Sequence, residues 1–374
     1  MMNRNRIAVI AVAVAAVVGW TSTPVSAHGA TAVAAPRRTL PDRLSDADYW
    51  KLLNDISEPG GYFQIEDNFT SNEPQIGQVF GQLRNAHISG GVYMGVGPEQ
   101  NLTYIAAVRP QMAFICDIRR QAVIQHLMFK AVFEMAKDRA DFIGLLFSKP
   151  RPAGLDSTTP IQKIWEAYWP VTTDLTQGPK NYQRVEDQLV KVHHFALTQD
   201  ELGMLKWVWD AFYQYGPSIT TNSANRGRGG GSANTFADLT GYSNDYTGQP
   251  QSFLSTEDNY RYVKTLHEKN LIVPVSGDFG GPKAVRAIGA YVKDHGATVS
   301  AYYVSNVEQY LFQDNKQAAF YGNVGTIPVT EQSVFIRPTA RGSMGGLCPI
   351  AAFLRAFDAG RVYGGYNSIL ACPQ

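Results

Sequence analysis

The chain predicts an α/β protein built on an open, mostly parallel sheet, and three observations carry that expectation. Strand-like apolar runs alternate with helical periodicity twice before residue 148. The same alternation resumes after residue 257. Between them, residues 149–256 change composition to Pro-, Trp- and Tyr-rich stretches, which marks a large, mostly helical insertion into one α/β domain.

The elements follow in order. Ser45 before "DADYWKLLND" is a helix-start signal followed by apolar residues about one turn apart. "GQVFGQLRNA" predicts a second short helix. The first strand is "GGVYMGV", and "NLTYIAAVRP" is a helix stopped by Pro110. "QMAFICDI" is a second strand, and its unbroken apolar run fits burial on both faces. "RRQAVIQHLMFKAVFEMAKDRADFIGLLF" predicts a long helical region. Inside the insertion, "ELGMLKWVWDAFYQY" is helical, and the Gly-rich run from Asn222 to Gly248 is either a lid over a site or a spacer. "NLIVPVSGDF", "ATVSAYYVS" and "SVFIRP" are further strands, with the helix "PKAVRAIGAYVKDHG" between the first two. The α/β domain thus takes residues 45–148 and 257–338, followed by a C-terminal segment, 339–374.

The N-terminus reads as an export signal over residues 1–27. It has basic Arg4 and Arg6, a 14-residue apolar run from Ile7 to Trp20, and the small residues Val25-Ser26-Ala27. The run is shorter than the roughly 20 residues of a spanning helix, so stable membrane insertion is not expected. Residues 28–44 read as a flexible lead-in, and the expected location is periplasmic or extracellular. Loss of Arg4 and Arg6 takes the formal charge from +1 to −1, which leaves no electrostatic footprint for nucleic acid. Cys116 sits in an apolar run that buries it. Cys348 and Cys372, 24 positions apart, either pair in an oxidising compartment or stay free.

The chemistry centres on strand ends. Gly95-Val96-Gly97 after the first strand allows close backbone approach to a ligand, and Asp117 ends the next strand 20 positions after Gly97, where a carboxylate can accept from a ribose diol. The third glycine of the dinucleotide fingerprint is absent. Glu99 would repel a pyrophosphate, and an acidic residue there better suits a cofactor with a cationic or zwitterionic end, such as S-adenosylmethionine. His193 and His194 would point opposite ways on a strand, so no metal site is expected. Ser305 lacks a glycine-built turn, which disfavours a serine hydrolase. Trp165, Trp169, Trp207 and Trp209 read as core of the insertion.

Taken together, "GVYMGVGPEQN", "MAFICDIRR", "VPVSGDFGG" and "YYVSNVEQYL" resemble a family of uncharacterised bacterial exported proteins with the class I S-adenosylmethionine-dependent methyltransferase fold, a Rossmann-like open sheet. The resemblance spans roughly Glu58 to Pro338. It implies S-adenosylmethionine as cofactor, with Gly95 and Gly97 beside its methionine and sugar portions, Asp117 on the ribose hydroxyls, Asp278 near the adenine and Phe279 lining the ring. It also implies substrate-facing Asn306 and Glu308, with Asn306 positioning a small-molecule or peptide acceptor and Glu308 as base. Each has a simpler counterpart: Asp278 as a turn or helix cap, Glu308 as a helix-start carboxylate, Asn306 as a cap. The alternative class is a non-catalytic or repurposed binding protein of the cell envelope that keeps the fold and cleft but uses another ligand or none.

The export reading predicts a mature chain starting near His28. N-terminal sequencing of the exported form should find that end, and an intact N-terminus held in the membrane would contradict it.

Overall fold

The computed structural model describes residues 38–63, 67–225, 234–338, 346–362 and 365–372. The export signal expected over residues 1–27, and the loop arginines Arg226 and Arg228, lie outside them. Six strands form one sheet: β1 Val92–Gly95, β2 Met112–Asp117, β3 Ile272–Ser276, β4 Val299–Tyr303, β5 Val329–Arg337 and β6 Gly346–Pro349. Their order is β3-β2-β1-β4-β5-β6; the first five run parallel and β6 is antiparallel to β5. This is a Rossmann-like α/β fold.

The local sequence explains each position. β1, β2 and β3 are buried along their whole length, which is why their apolar residues run on without alternating. Pro274 lacks an amide hydrogen and is tolerated because β3 is an edge strand. The helix Gln100–Val108 between β1 and β2 is buried on every side and ends at Arg109, whose φ of 51° leads the chain out before Pro110. Helix Asp46–Ile56, capped by Ser45, is pinned to β3 by the Tyr49 hydroxyl, which donates to the Ile272 carbonyl at 3.1 Å.

Two expectations change in detail. The long helical region after β2 is two helices, Arg120–Met135 and Arg139–Leu146. Asp138 starts the second by accepting from the Asp141 amide at 2.8 Å, so a good N-cap overrides continuous helical propensity. β6 was not foreseen, because four residues without alternation carry no period.

Between β2 and β3 the helix Gln199–Tyr215 lies on Arg120–Met135, with Phe129 and Phe212 ring centroids 5.6 Å apart. The tryptophan expectation holds for Trp165 and Trp209, which are buried. It fails for Trp169, which is 67% exposed, and for Trp207, which is 40% exposed and touches Phe69 with one face. Residues Arg37–Gln374 form one compact unit. No helix among the described residues is long and apolar enough to cross a membrane.

Cys348 on β6 is joined to Cys372 by a disulfide, and Cys116 is a buried free thiol. The bridge ties the last turn of the chain to the sheet edge beside Arg337, whose Nη2 lies 3.3 Å from the Cys348 sulfur. A closed loop of this size constrains the unfolded chain by roughly 3 kcal/mol. Thiol labelling of the denatured, unreduced protein should therefore find one thiol, at Cys116, and Cys372→Ser should lower the unfolding free energy by about that amount. Three labelled cysteines would contradict the pairing.

Candidate functional site

The parallel strands deliver their carboxyl ends to one rim. Strand order reverses between β1 and β4, where open α/β sheets form a crevice. A cleft of about 430 Å³ lies there, lined by Gly97 after β1, Asp117 at the end of β2, Asp278 after β3, and Tyr303, Ser305 and Asn306 from the end of β4. Tyr62, Phe63 and Tyr310 add an aromatic wall, with Phe63 and Tyr310 edge to face at 4.9 Å.

Gly97 has φ of +79°, so the turn needs glycine, and it faces the cleft. Gly95 does not line it. A Cβ at Gly95 would meet Asn101 Oδ1 at 2.0 Å and the Tyr93 hydroxyl at 2.8 Å. The Asn101 amide in turn donates to the carbonyls of Val96, Gly97 and Pro98 at 2.8–3.1 Å. Gly95 therefore makes room for the side chain that shapes the turn, which corrects its expected place beside a ligand. Glu99 is also corrected. It does not line the cleft, and both its oxygens accept from the amide of Ser71, which does, at 3.1 and 3.2 Å. Burial pushes its carboxyl up to about 8.

Asp117 is at the rim as expected, and it is already engaged. Arg119 grips it with two side-chain bonds of 3.0 and 2.8 Å and one from its own amide at 2.9 Å. Burial would raise the Asp117 carboxyl, but the Arg119 guanidinium outweighs it and holds the group below the usual carboxylate range. Asp278 accepts from the Gly280 amide at 2.9 Å and pairs with Lys316 at 2.7 Å across the cleft. The cap of the next helix, Ala284–Asp294, comes from Glu58, which accepts from the Lys283 and Ala284 amides. Phe279 lines the cleft, but its ring is buried and stacks on Phe320 at 5.4 Å.

At the β4 end, Asn306 lines the cleft and precedes the short helix Val307–Gln313 without a side-chain cap bond. Glu308 does not line it. Its carboxylate is buried against Arg337 Nη1 at 3.0 Å and the Tyr321 hydroxyl at 2.7 Å, so the expectation of a substrate-facing base is corrected. Two positions, about half a helix turn, separate Glu308 from Asn306 and carry it toward β5, and the buried Arg337 needs it there as counter-charge.

The sequence reading missed a group beneath the cleft. Glu73, 1% exposed, accepts from the Tyr303 hydroxyl at 2.5 Å and from the Ser305 hydroxyl at 2.7 Å. Gln100 Nε2 donates to Tyr303 Oη at 2.9 Å. Burial pushes the Glu73 carboxyl up to about 7, against the lowering effect of the two hydroxyls. Glu73 lies in the irregular segment "SNEPQ", where no periodicity marks a buried carboxylate. His193 and His126 are structural: His193 Nε2 meets Glu134 at 2.6 Å and His126 Nε2 meets the Gly97 carbonyl at 2.9 Å. Among the described residues no group of three His, Cys, Asp or Glu could hold a metal ion.

The family model described as "Domain of unknown function (DUF7790)" matches residues 68–200 and 235–348, and the chain belongs to that family. The matched residues include the whole rim of the cleft apart from the aromatic wall residues Tyr62 and Phe63. No curated protein matches the chain.

Glu73 and Glu99 both hold protons in the folded state that they would release at ordinary carboxylate pH when unfolded, from a reference value of 4.5. Their stabilising effect is complete below that value. It is lost as pH rises through about 7 for Glu73 and about 8 for Glu99, at roughly 1 kcal/mol per pH unit for each group. Urea unfolding at pH 5 to 8 should show stability falling with pH, less steeply in Glu99→Gln. Parallel profiles for the two proteins would contradict the buried, protonated Glu99.

Proposed function

We propose that this exported member of the DUF7790 family binds an adenosyl ligand along the β1–β3 part of the cleft, in a methyltransferase-type variant of the Rossmann-like sheet, with S-adenosylmethionine as the cofactor form. The observation that carries this reading is the convergence of Gly97, Asp117 and Asp278 from the ends of three adjacent parallel strands on one cleft at the sheet's switch point. Its volume lies within the range of small-molecule and cofactor sites.

The residues fit such a ligand. Gly97, without a side chain and with φ of +79°, lets backbone close on the ligand. Asp117, held ionised by Arg119, offers lone pairs to a ribose diol. Asp278 and Phe279, which line the same cleft, would take the adenine end. When bound, S-adenosylmethionine supplies a methyl group on a positively charged sulfur. The chain's part is to orient it and to hold a small-molecule or peptide acceptor near Asn306, excluding water with the Tyr62, Phe63 and Tyr310 wall.

A second reading is a repurposed, non-catalytic binding protein of the cell envelope that keeps the fold and cleft but uses another ligand or none. The observation favouring it is the closed Asp117–Arg119 pair, together with a Glu308 carboxylate sealed away from the cleft. The two readings differ in whether the cleft takes an adenosyl ligand.

Calorimetric titration with S-adenosylmethionine and S-adenosylhomocysteine separates them. Wild type should bind. Asp117→Asn should weaken binding ten- to a hundredfold, since a bond to a charged acceptor is worth roughly 1.5–3 kcal/mol. Asp278→Asn gives up only a partly exposed pair with Lys316 and should fold normally while binding severalfold more weakly. No binding by folded wild type at millimolar ligand removes the adenosyl reading.

A further inference from the structure

We propose that Ser305 is a nucleophile with Glu73 as its base, which gives the β4 end of the cleft an acyl-transfer activity on small neutral esters. This inference rests on the geometry of β4 and its following turn and is independent of the adenosyl reading.

Ser305 stands two residues beyond β4 and two before the helix Val307–Gln313. Its φ is +48°, a left-handed conformation that a residue with a side chain seldom adopts. A strained residue on a sharp strand-to-helix turn is the mechanical feature that presents the nucleophile at the top of an α/β-hydrolase sheet. Flanking glycines usually permit that turn. Here Val304 and Asn306 flank it, and the Val307 amide closes it on the Val304 carbonyl at 3.1 Å. The absent glycines, which argue against a hydrolase in the sequence, therefore do not prevent the turn.

The hydroxyl has a base. Ser305 Oγ donates to Glu73 Oε1 at 2.7 Å, and the Tyr303 hydroxyl, which accepts from Gln100, donates to the same oxygen. The second oxygen, Oε2, is buried without a partner. Among the described residues two hydroxyls and no cation meet this carboxyl. The other titratable groups facing it are phenols: Tyr93 on β1, Tyr104 on helix Gln100–Val108, and Tyr366 near the C-terminus. Glu99 lies near Tyr104 as well. None supplies a positive charge. An ordinary carboxylate is too weak a base for a hydroxyl; burial that lifts Glu73 to about 7 brings it to the basicity of an imidazole.

The amide that follows the nucleophile completes the set. The Asn306 backbone N–H donates to no acceptor among the described residues, and Asn306 lines the cleft. The residue after the nucleophile is where an oxyanion donor belongs. The cationic side chains of the cleft, Arg119 and Lys316, are both ion-paired, while Tyr62, Phe63 and Tyr310 are aromatic. A neutral ester with an aromatic or alkyl portion fits these walls better than an anion does.

The step balances. Ser305 Oγ bonds to the ester carbonyl carbon while its proton passes to Glu73, and the carbonyl oxygen takes the negative charge beside the Asn306 N–H. The carbon–oxygen bond to the alcohol then breaks, and the alcohol leaves with the proton from Glu73. Water repeats the sequence on the acyl-serine, giving up a proton to Glu73, and releases the carboxylic acid with Ser305 restored.

A fluorophosphonate probe tests this on the full mature chain without any cofactor. Mass spectrometry should find one adduct, on Ser305, in wild type and none in Ser305→Ala. The labelling rate in wild type should rise with pH and level off above about 7. Glu73→Gln, checked by thermal melting, should label at least a hundredfold more slowly. The wild-type pH profile decides the matter if that variant does not fold. Folded wild type with no Ser305 adduct, a labelling rate with no inflection near neutrality, or equal labelling of folded Glu73→Gln would each overturn the proposal.

Discussion

A parallel sheet buried on both faces imposes its geometry on everything else in this protein. Each strand must be followed by a crossover that covers a face, and every parallel strand then ends at the same rim. β1 to β4 obey this, so Gly97, Asp117, Asp278 and Ser305, scattered over two hundred positions of sequence, meet around one cleft. The reversal of strand order between β1 and β4 separates their crossovers to opposite faces and leaves the crevice open.

The charges around that rim fall into two kinds. Asp117, Asp278 and Glu308 are each matched by a cation, Arg119, Lys316 and Arg337, and the two buried pairs would cost about 3–5 kcal/mol if one partner were removed. They are fixed charges that hold backbone and side chains in place. Glu73 is the opposite case: buried, met by hydroxyls, and without a cation. A group in that state can change its protonation near neutral pH without breaking an ion pair, which is the property expected of a proton acceptor. The strain at Ser305 points to the same spot, since a left-handed serine is kept only where the surroundings over-determine it.

The strands were legible in the sequence because their burial leaves unbroken apolar runs, and Asp117 and Gly97 were legible because turn and strand end carry a fixed spacing. What escaped depends on side-chain direction. Glu308 follows Asn306 by two positions, yet one faces β5 and the other the cleft, a difference set by about half a helix turn between them. Glu99 reads as a charge facing a ligand at the glycine turn, yet it does not line the cleft and accepts from the Ser71 amide. Glu73 sits in an aperiodic loop, and its partner Tyr303 is 230 positions away, a contact that no local pattern encodes. Trp169 and Trp207 show the same limit, since composition marks them as core while Trp169, in the turn after its helix, and Trp207, on a helix, are left open.

We propose that the strand-end cleft holds an adenosyl group. A crystal structure of the protein soaked with S-adenosylhomocysteine tests it most directly. The account predicts ligand density against Gly97 with the ribose hydroxyls on Asp117 and the adenine toward Asp278. Density at another surface, or a clear cleft in crystals that hold the ligand elsewhere, would contradict it.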